Sequence, residues 1–115
     1  MDKVDKIIKK IIDFRRARDW EQFHNPKDIS LSLVLEAGEV MEHFQWKNKE
    51  EVEEYVKTNK EEIGDELADV LYWIILMGYD LDIDIFDALD KKIKKNEEKY
   101  PVEKAKGKHT KYNKL

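Results

Sequence analysis

Residues 60–78 read KEEIGDELADVLYWIILMG. Acids fill the first half of this stretch and large apolar residues the second. From Val70 to Met77 the apolar side chains fall on every side of a 3.6-residue helix, so this helix is read as buried all round. A chain of 115 residues can hardly enclose one helix with its own remaining elements, and homo-oligomerisation through this region is expected. The run also contains Glu66 and Asp69, set among Leu67, Val70 and Leu71. A carboxylate placed among such neighbours is costly unless something pairs with it.

A second pair lies upstream. Glu36-x-x-Glu39 sits among Leu33, Val34, Leu35 and Val40, with 26 residues between it and Glu66-x-x-Asp69. Neither run supplies a matching Lys or Arg, so a divalent cation is the expected partner. Residues three or four apart share a helical face. Ser32, Glu36, Glu39, His43 and Trp46 form one stripe; Glu62, Glu66, Asp69 and Trp73 form the other. Antiparallel packing of the two helices brings four carboxylates together.

The rest of the chain is read around these helices. Val4, Ile7, Ile8, Ile11, Ile12 and Phe14 have helical spacing and predict a first helix over about 3–17. Residues 18–25 form a connection. Pro26 suits a first helical turn, and the second helix is expected to run to about Trp46, broken by residues 47–49. Glu50 to Val56 reads as a short amphipathic segment. Thr58-Asn59-Lys60-Glu61 has the pattern of a capping box and opens the helix of residues 60–77, expected to stop near Gly78. Asp82 or Asp84 caps a last helix to about Lys99. With no strand pattern and no repeat, the fold class is all-α, a four-helix bundle or close relative. Residues 1–100 are read as one helical domain and 101–115 as a basic, irregular C-terminal tail.

Composition narrows the chemistry. The chain has no cysteine, which excludes disulfides, zinc-thiolate sites and cysteine nucleophiles. The longest apolar stretch is too short to span a bilayer and no leader pattern opens the sequence, so a cytoplasmic protein without a membrane partner is expected. Net charge is −4, but residues 91–115 carry ten Lys against three Glu. Such a segment suits nucleic acid or a phosphate held over the acids.

All-oxygen ligands favour Mg²⁺, Mn²⁺ or Ca²⁺. A di-iron carboxylate bundle uses two Glu-x-x-His motifs, and the chain has only Glu21-x-x-His24, in a predicted loop. Mg²⁺ commonly shares its shell with substrate phosphates, which also accounts for the stripe of Lys92, Asn96 and Lys99. Trp20, Phe23, Trp46, Trp73 and Tyr100 add flat faces on which nucleobases stack. Together these features point to a nucleoside polyphosphate.

On these residues the chain resembles the MazG-like superfamily of all-α nucleoside triphosphate pyrophosphohydrolases, whose hallmark is E-x-x-E followed by E-x-x-D. It is most similar to the dCTP pyrophosphatase branch, through residues 18–24 (RDWEQFH), 44–47 (FQWK) and 99–101 (KYP). The resemblance runs from about Arg18 to Tyr112. It implies an α-helical dimer or dimer of dimers, and Mg²⁺-dependent hydrolysis of a (d)NTP, dCTP or a modified pyrimidine dNTP, to the monophosphate and pyrophosphate. Mn²⁺ is an expected substitute. Glu36, Glu39, Glu66 and Asp69 are implied as metal ligands, and Trp20 and Trp46 as base-pocket residues; helical spacing, not the resemblance, sets Trp73 above Asp69 as a further substrate-binding candidate. Lys92, Asn96 and Tyr100 are implied to meet the phosphates and sugar, and Lys111-Tyr112 to close over the site.

The chain departs from that branch at three positions. Ile11 stands where the branch has a histidine, Trp73 where it has a tyrosine, and His43 where it has a leucine. His43 is read as a neighbour of the ligands rather than as catalytic. The expected mechanism is attack of a metal-positioned water on the α-phosphorus, with Glu36 or Asp65 accepting its proton. Two other readings start from the same residues: a non-enzymatic helical interaction module with a structural metal site, and a Lys-rich nucleic-acid-binding bundle. The nucleotide reading predicts no stable nucleic-acid partner.

Overall fold

The computed structural model describes residues 2–115, and every described element is helical. The chain divides into two compact units, Met1–Leu81 and Asp82–Leu115. The division falls inside the segment read from sequence as one domain to residue 100.

The first unit contains α1 (Lys3–Ala17), α2 (Pro26–Glu42), α3 (Lys49–Thr58) and α4 (Lys60–Asp80). Side-chain caps set three of the four starts by satisfying backbone N–H groups left open in a first turn. Asp2 accepts from the Asp5 N–H at 2.8 Å and Asn25 from the Asp28 N–H at 2.9 Å, with Pro26 opening α2. Asn48 and Glu51 form a reciprocal capping box, at 2.8 and 3.2 Å, that starts α3.

The box expected at residues 58–61 does not form. Asn59 ends α3 and begins α4 at once, with φ −126° and ψ 23° rather than extended backbone. Its side chain accepts no hydrogen bond from the first turn of α4, and its Nδ2 donates back to the Tyr55 carbonyl at 2.8 Å.

Two boundaries differ from the periodicity. α2 stops at Glu42, four residues before Trp46. Residues 43–47 turn instead, with Gln45 N–H donating to the Met41 carbonyl at 3.0 Å and Trp46 in the left-handed region at φ 70°. The turn delivers Asn48 in the extended conformation its cap requires. No glycine marks it, so sequence spacing carries the helix through. α4 runs past Gly78, which is buried within the helix, and ends at Asp80 before Asp82 at φ 55°.

α4 is the spine of this unit: α2 makes the largest packing surface against it, and α1 and α3 pack on it as well. The core is small. Ile29 of α2 and Ile75 and Leu76 of α4 are buried. The helix is therefore not enclosed on all sides, and Leu71 is 47% exposed within a single chain.

The second unit contains α5 (Ile85–Lys99), capped by Asp84 accepting from the Asp87 N–H at 3.0 Å, and the short α6 (Val102–Ala105). The expected irregular tail thus holds one helical turn after Pro101 and a 3₁₀ turn at Tyr112–Lys114. No helix among the described residues is long and apolar enough to cross a membrane.

Candidate metal and nucleotide site

Packing of α2 on α4 brings Glu36, Glu39, Glu66 and Asp69 into one group. One carboxylate oxygen from each lies within 4.8 Å of the others. Each pair comes from one helix at i, i+3, so the two helix faces set the geometry and no loop has to order first. Glu36 and Glu66 are half-buried, while Glu39 and Asp69 are exposed. The Oε2 atoms of Glu36 and Glu66 are sealed from solvent without a hydrogen-bond donor. Sealed carboxylate oxygens that lack donors are what a divalent cation satisfies, and four carboxylates form a hard oxygen set suited to Mg²⁺ or Mn²⁺.

The electrostatics agree. Burial first, then the close approach of the Glu39 carboxyl and the charges of Glu39, Asp69 and Glu66, push the Glu36 carboxyl above its usual range. The approach of Glu39 first, then burial and the charges of Glu39 and Asp69, does so for Glu66, with His43 opposing. Like charges this close cannot all ionise freely without a cation among them. The His43 ring meets the Tyr55 hydroxyl through Nδ1, which ties the end of α2 to α3 beside the acids.

A cavity of about 440 Å³ adjoins this group. Glu36 and Asp69 face it from the acid side. Its other walls are Ile7, Lys10, Ile11 and Phe14 of α1, Trp20 of the following corner, and Tyr72 and Trp73 of α4. The rings are mutually braced edge to face, Phe14 against Trp20 at 5.6 Å and Tyr72 against Trp73 at 5.1 Å. The Tyr72 hydroxyl is sealed from solvent and unpaired, and its burial pushes its pKa up, so it stays protonated as a donor.

Not every residue expected at the site lies here. Trp46 is 91% exposed and outside the cavity wall, because the early end of α2 takes it off the stripe of Glu36 and Glu39. Asp65 is exposed and outside the group of four acids. Lys92, Asn96 and Tyr100 belong to the second unit, on α5 and at its C-terminal cap. There Tyr100 packs edge-on against Tyr112 at 6.1 Å, and the Lys99 Nζ stands 4.9 Å from the Tyr112 ring.

Conversely, the sequence reading missed Ile7, Lys10, Phe14 and Tyr72 as cavity residues. Ile7, Ile11 and Phe14 carry the spacing of a core stripe, and a cavity wall has the same spacing. Only their incomplete burial separates the two roles.

A histidine beside the cavity gives a pH test. His24 packs edge-on against Trp73 at 5.4 Å. Burial first, then the Arg15 charge, lower its pKa from the ordinary 6.5. The unfolded chain therefore binds the extra proton more readily, and His24 contributes a loss of stability as pH falls below about 6.5. Glu36 and Glu66 act in the opposite direction, so the measurement is a difference. Unfolding curves of the wild type and His24→Gln should diverge less at pH 5.5 than at pH 7.5, with the wild type losing its relative advantage at the lower pH.

A helical unit that brings two acid pairs together beside an aromatic cavity has the residue types to hold a divalent cation. Residues 31–115 match the model of the MazG-like family, and the chain belongs to that family. It is similar to dCTP pyrophosphatase 1 of Mus musculus, with 37% identity over 90% of this chain and 62% of the mouse protein. The Homo sapiens protein of the same name is 34% identical over the same shares. The chain thus spans 62% of the length of these relatives. Its fold also matches the crystal structure of a pyrophosphatase from Archaeoglobus fulgidus. That match has a TM-score of 0.83 and 31% identity, covering 88% of this chain and 94% of that one.

Proposed function

We propose that the protein is a divalent-metal-dependent nucleoside triphosphate pyrophosphohydrolase that converts a (d)NTP to its monophosphate and pyrophosphate, with dCTP or a modified pyrimidine dNTP as preferred substrate. The observation that carries this reading is the meeting of four carboxylates beside an aromatic cavity whose wall includes two of them. The names of the relatives in mouse, human and Archaeoglobus support the reaction type.

Glu36, Glu39, Glu66 and Asp69 are the residues that would hold Mg²⁺, or Mn²⁺ in its place. When bound, the ion supplies charge neutralisation at the triphosphate and a water acidified toward hydroxide. Trp20 and Trp73 give the base two indole faces. Of the two candidate proton acceptors, Glu36 lines the cavity and Asp65 does not, so Glu36 is assigned the attacking water's proton. The cellular role that follows is removal of surplus or non-standard dNTPs.

Homo-oligomerisation belongs to the same proposal. Leu31 and Leu35 on α2, and Leu67 and Leu71 on α4, are i, i+4 pairs left about half or more exposed. Apolar surface of that kind marks a protein interface, and a second copy supplies a matching one. Light scattering should give two or four times the 13.8 kDa of one chain; a monomer at micromolar concentration overturns this part.

The activity is tested by incubating purified protein with a panel of ribo- and deoxynucleoside triphosphates, with Mg²⁺, with Mn²⁺ and with EDTA. Metal-dependent loss of at least one pyrimidine dNTP is expected. No turnover of any nucleotide contradicts the reading.

A further inference from the structure

Arg15 is buried at 4% exposure, yet it is not a wall of the aromatic cavity, and its ion pair is to Asp80 rather than to any of the four acids. A charge so placed is costly unless it is paired; here both Nη atoms are paired, while Nε is sealed without a partner. Its guanidinium donates twice to Asp80 at the end of α4, at 2.8 and 2.7 Å, a two-pronged geometry that only arginine offers a carboxylate. The same Nη1 meets His24 Nδ1 at 3.4 Å. A donor there requires His24 Nδ1 to be the unprotonated nitrogen, in keeping with the depressed pKa of this ring. His24 in turn packs on Trp73, one wall of the cavity. The Arg15 carbonyl also accepts from the N–H groups of Arg18 at 3.2 Å and Trp20 at 3.3 Å, and so pins the corner that carries the other indole.

One residue is therefore joined to both indole walls by two routes, one through its side chain and one through its backbone. We propose that Arg15, clamped by Asp80, is a positioning residue for the cavity: it fixes His24 and hence Trp73, anchors the corner bearing Trp20, and so sets the gap into which a base slides. The inference rests on the reading of the cavity as the base site. Arg15 touches no substrate in this account. Its effect falls on base affinity, because the carboxylates that serve the phosphates are fixed independently by α2 on α4.

The test uses Arg15→Met, Asp80→Asn, Asp80→Glu and His24→Ala. Trp46→Phe serves as the background for the quenching measurements alone, leaving Trp20 and Trp73 as the two emitters, and the kinetic readings are taken with Trp46 retained. Two readouts are taken: acrylamide quenching of the metal-free protein, and KM and kcat for the nucleotide turned over fastest. Arg15→Met and Asp80→Asn are expected to raise the quenching constant about twofold and KM about tenfold, with kcat within about threefold. Asp80→Glu, which keeps the charge pair, should restore most of both. His24→Ala should raise quenching with the Arg15–Asp80 pair intact.

Unchanged quenching and KM in Arg15→Met overturn the proposal, as does an equal fall in kcat and kcat/KM with KM unmoved. If Arg15→Met does not fold, Asp80→Asn and His24→Ala decide by the same readings. If the unmutated protein hydrolyses no nucleotide, the function reading fails by itself, and quenching alone decides whether Arg15 positions the indoles.

Discussion

Glu66→Gln is expected to lower kcat by about 10²- to 10³-fold, the range for losing a charge that holds a catalytic metal, while raising the melting temperature of the metal-free protein. The two effects have one cause. The close approach of the Glu39 carboxyl, then burial and the charge of Asp69, hold the Glu66 carboxyl above the usual range. A raised folded-state pKa means that ionised Glu66 opposes folding, and the opposition grows as pH rises through the carboxylate range toward neutrality. Glutamine keeps the shape and removes the charge. At pH 7.5 without metal the variant should therefore melt higher than the wild type, and at pH 4 the two should converge. Adding Mg²⁺ should raise the wild-type melting temperature, because an ion that binds only the folded state stabilises it. The variant should respond less. Parallel Mg²⁺ titrations followed by melting, and a turnover assay on the same samples, check both halves. A Glu66→Gln variant that hydrolyses nucleotide at the wild-type rate removes the acids from the mechanism.

Leu76→Ala is expected to cost about 3 kcal/mol of stability, the middle of the range for a buried leucine cut to a methyl. Leu76 is fully buried within α4. The loss is large because the core is small. Only Ile29, Ile75 and Leu76 are buried hydrophobics among the described residues of a single chain, and a domain has only about 5–15 kcal/mol to lose. Leu35→Ala, at 70% exposure, is the control. In a monomer it should cost under about 0.5 kcal/mol. In an oligomer its cost should grow with protein concentration, since the interface contributes to the measured stability. Urea unfolding of both variants at two concentrations separates core from interface.

How much of this was legible in the residues depends on which physical signal each feature leaves. The paired acids left a strong one. A carboxylate among leucines at i, i+3 is costly enough to call for a partner, and the same spacing fixes the helix face, so the group of four follows from arithmetic once α2 packs on α4. Trp20 and Trp73 were legible as surplus aromatics near acids. The end of α2 was not: it is set by a left-handed Trp46 and a cap at Asn48, neither of which breaks the hydrophobic period. That single boundary moved Trp46 off its stripe. The α1 wall of the cavity was hidden for a different reason, since Ile7, Ile11 and Phe14 look the same in sequence whether they face a core or a void. The Arg15–Asp80 clamp spans 65 residues, and no local pattern announces a pairing at that separation.

The unenclosed α4 bears on the oligomer as well. Its sequence predicts burial on every side, whereas one chain buries Ile75 and Leu76 and leaves Leu67 and Leu71 about half exposed. Periodicity reports the environment a helix needs, whether or not one chain supplies it. α4 packs on its own chain with one face and leaves apolar residues of another open, the face to which the proposed second copy is assigned.

The most direct measurement of the central claim is product analysis of dCTP incubated with the purified protein and Mg²⁺, by anion exchange with separate quantification of pyrophosphate and phosphate. Equimolar dCMP and pyrophosphate, abolished by EDTA and by Glu66→Gln, is the predicted result. Formation of dCDP and phosphate, or persistence of intact dCTP alongside every other nucleotide offered, would contradict it.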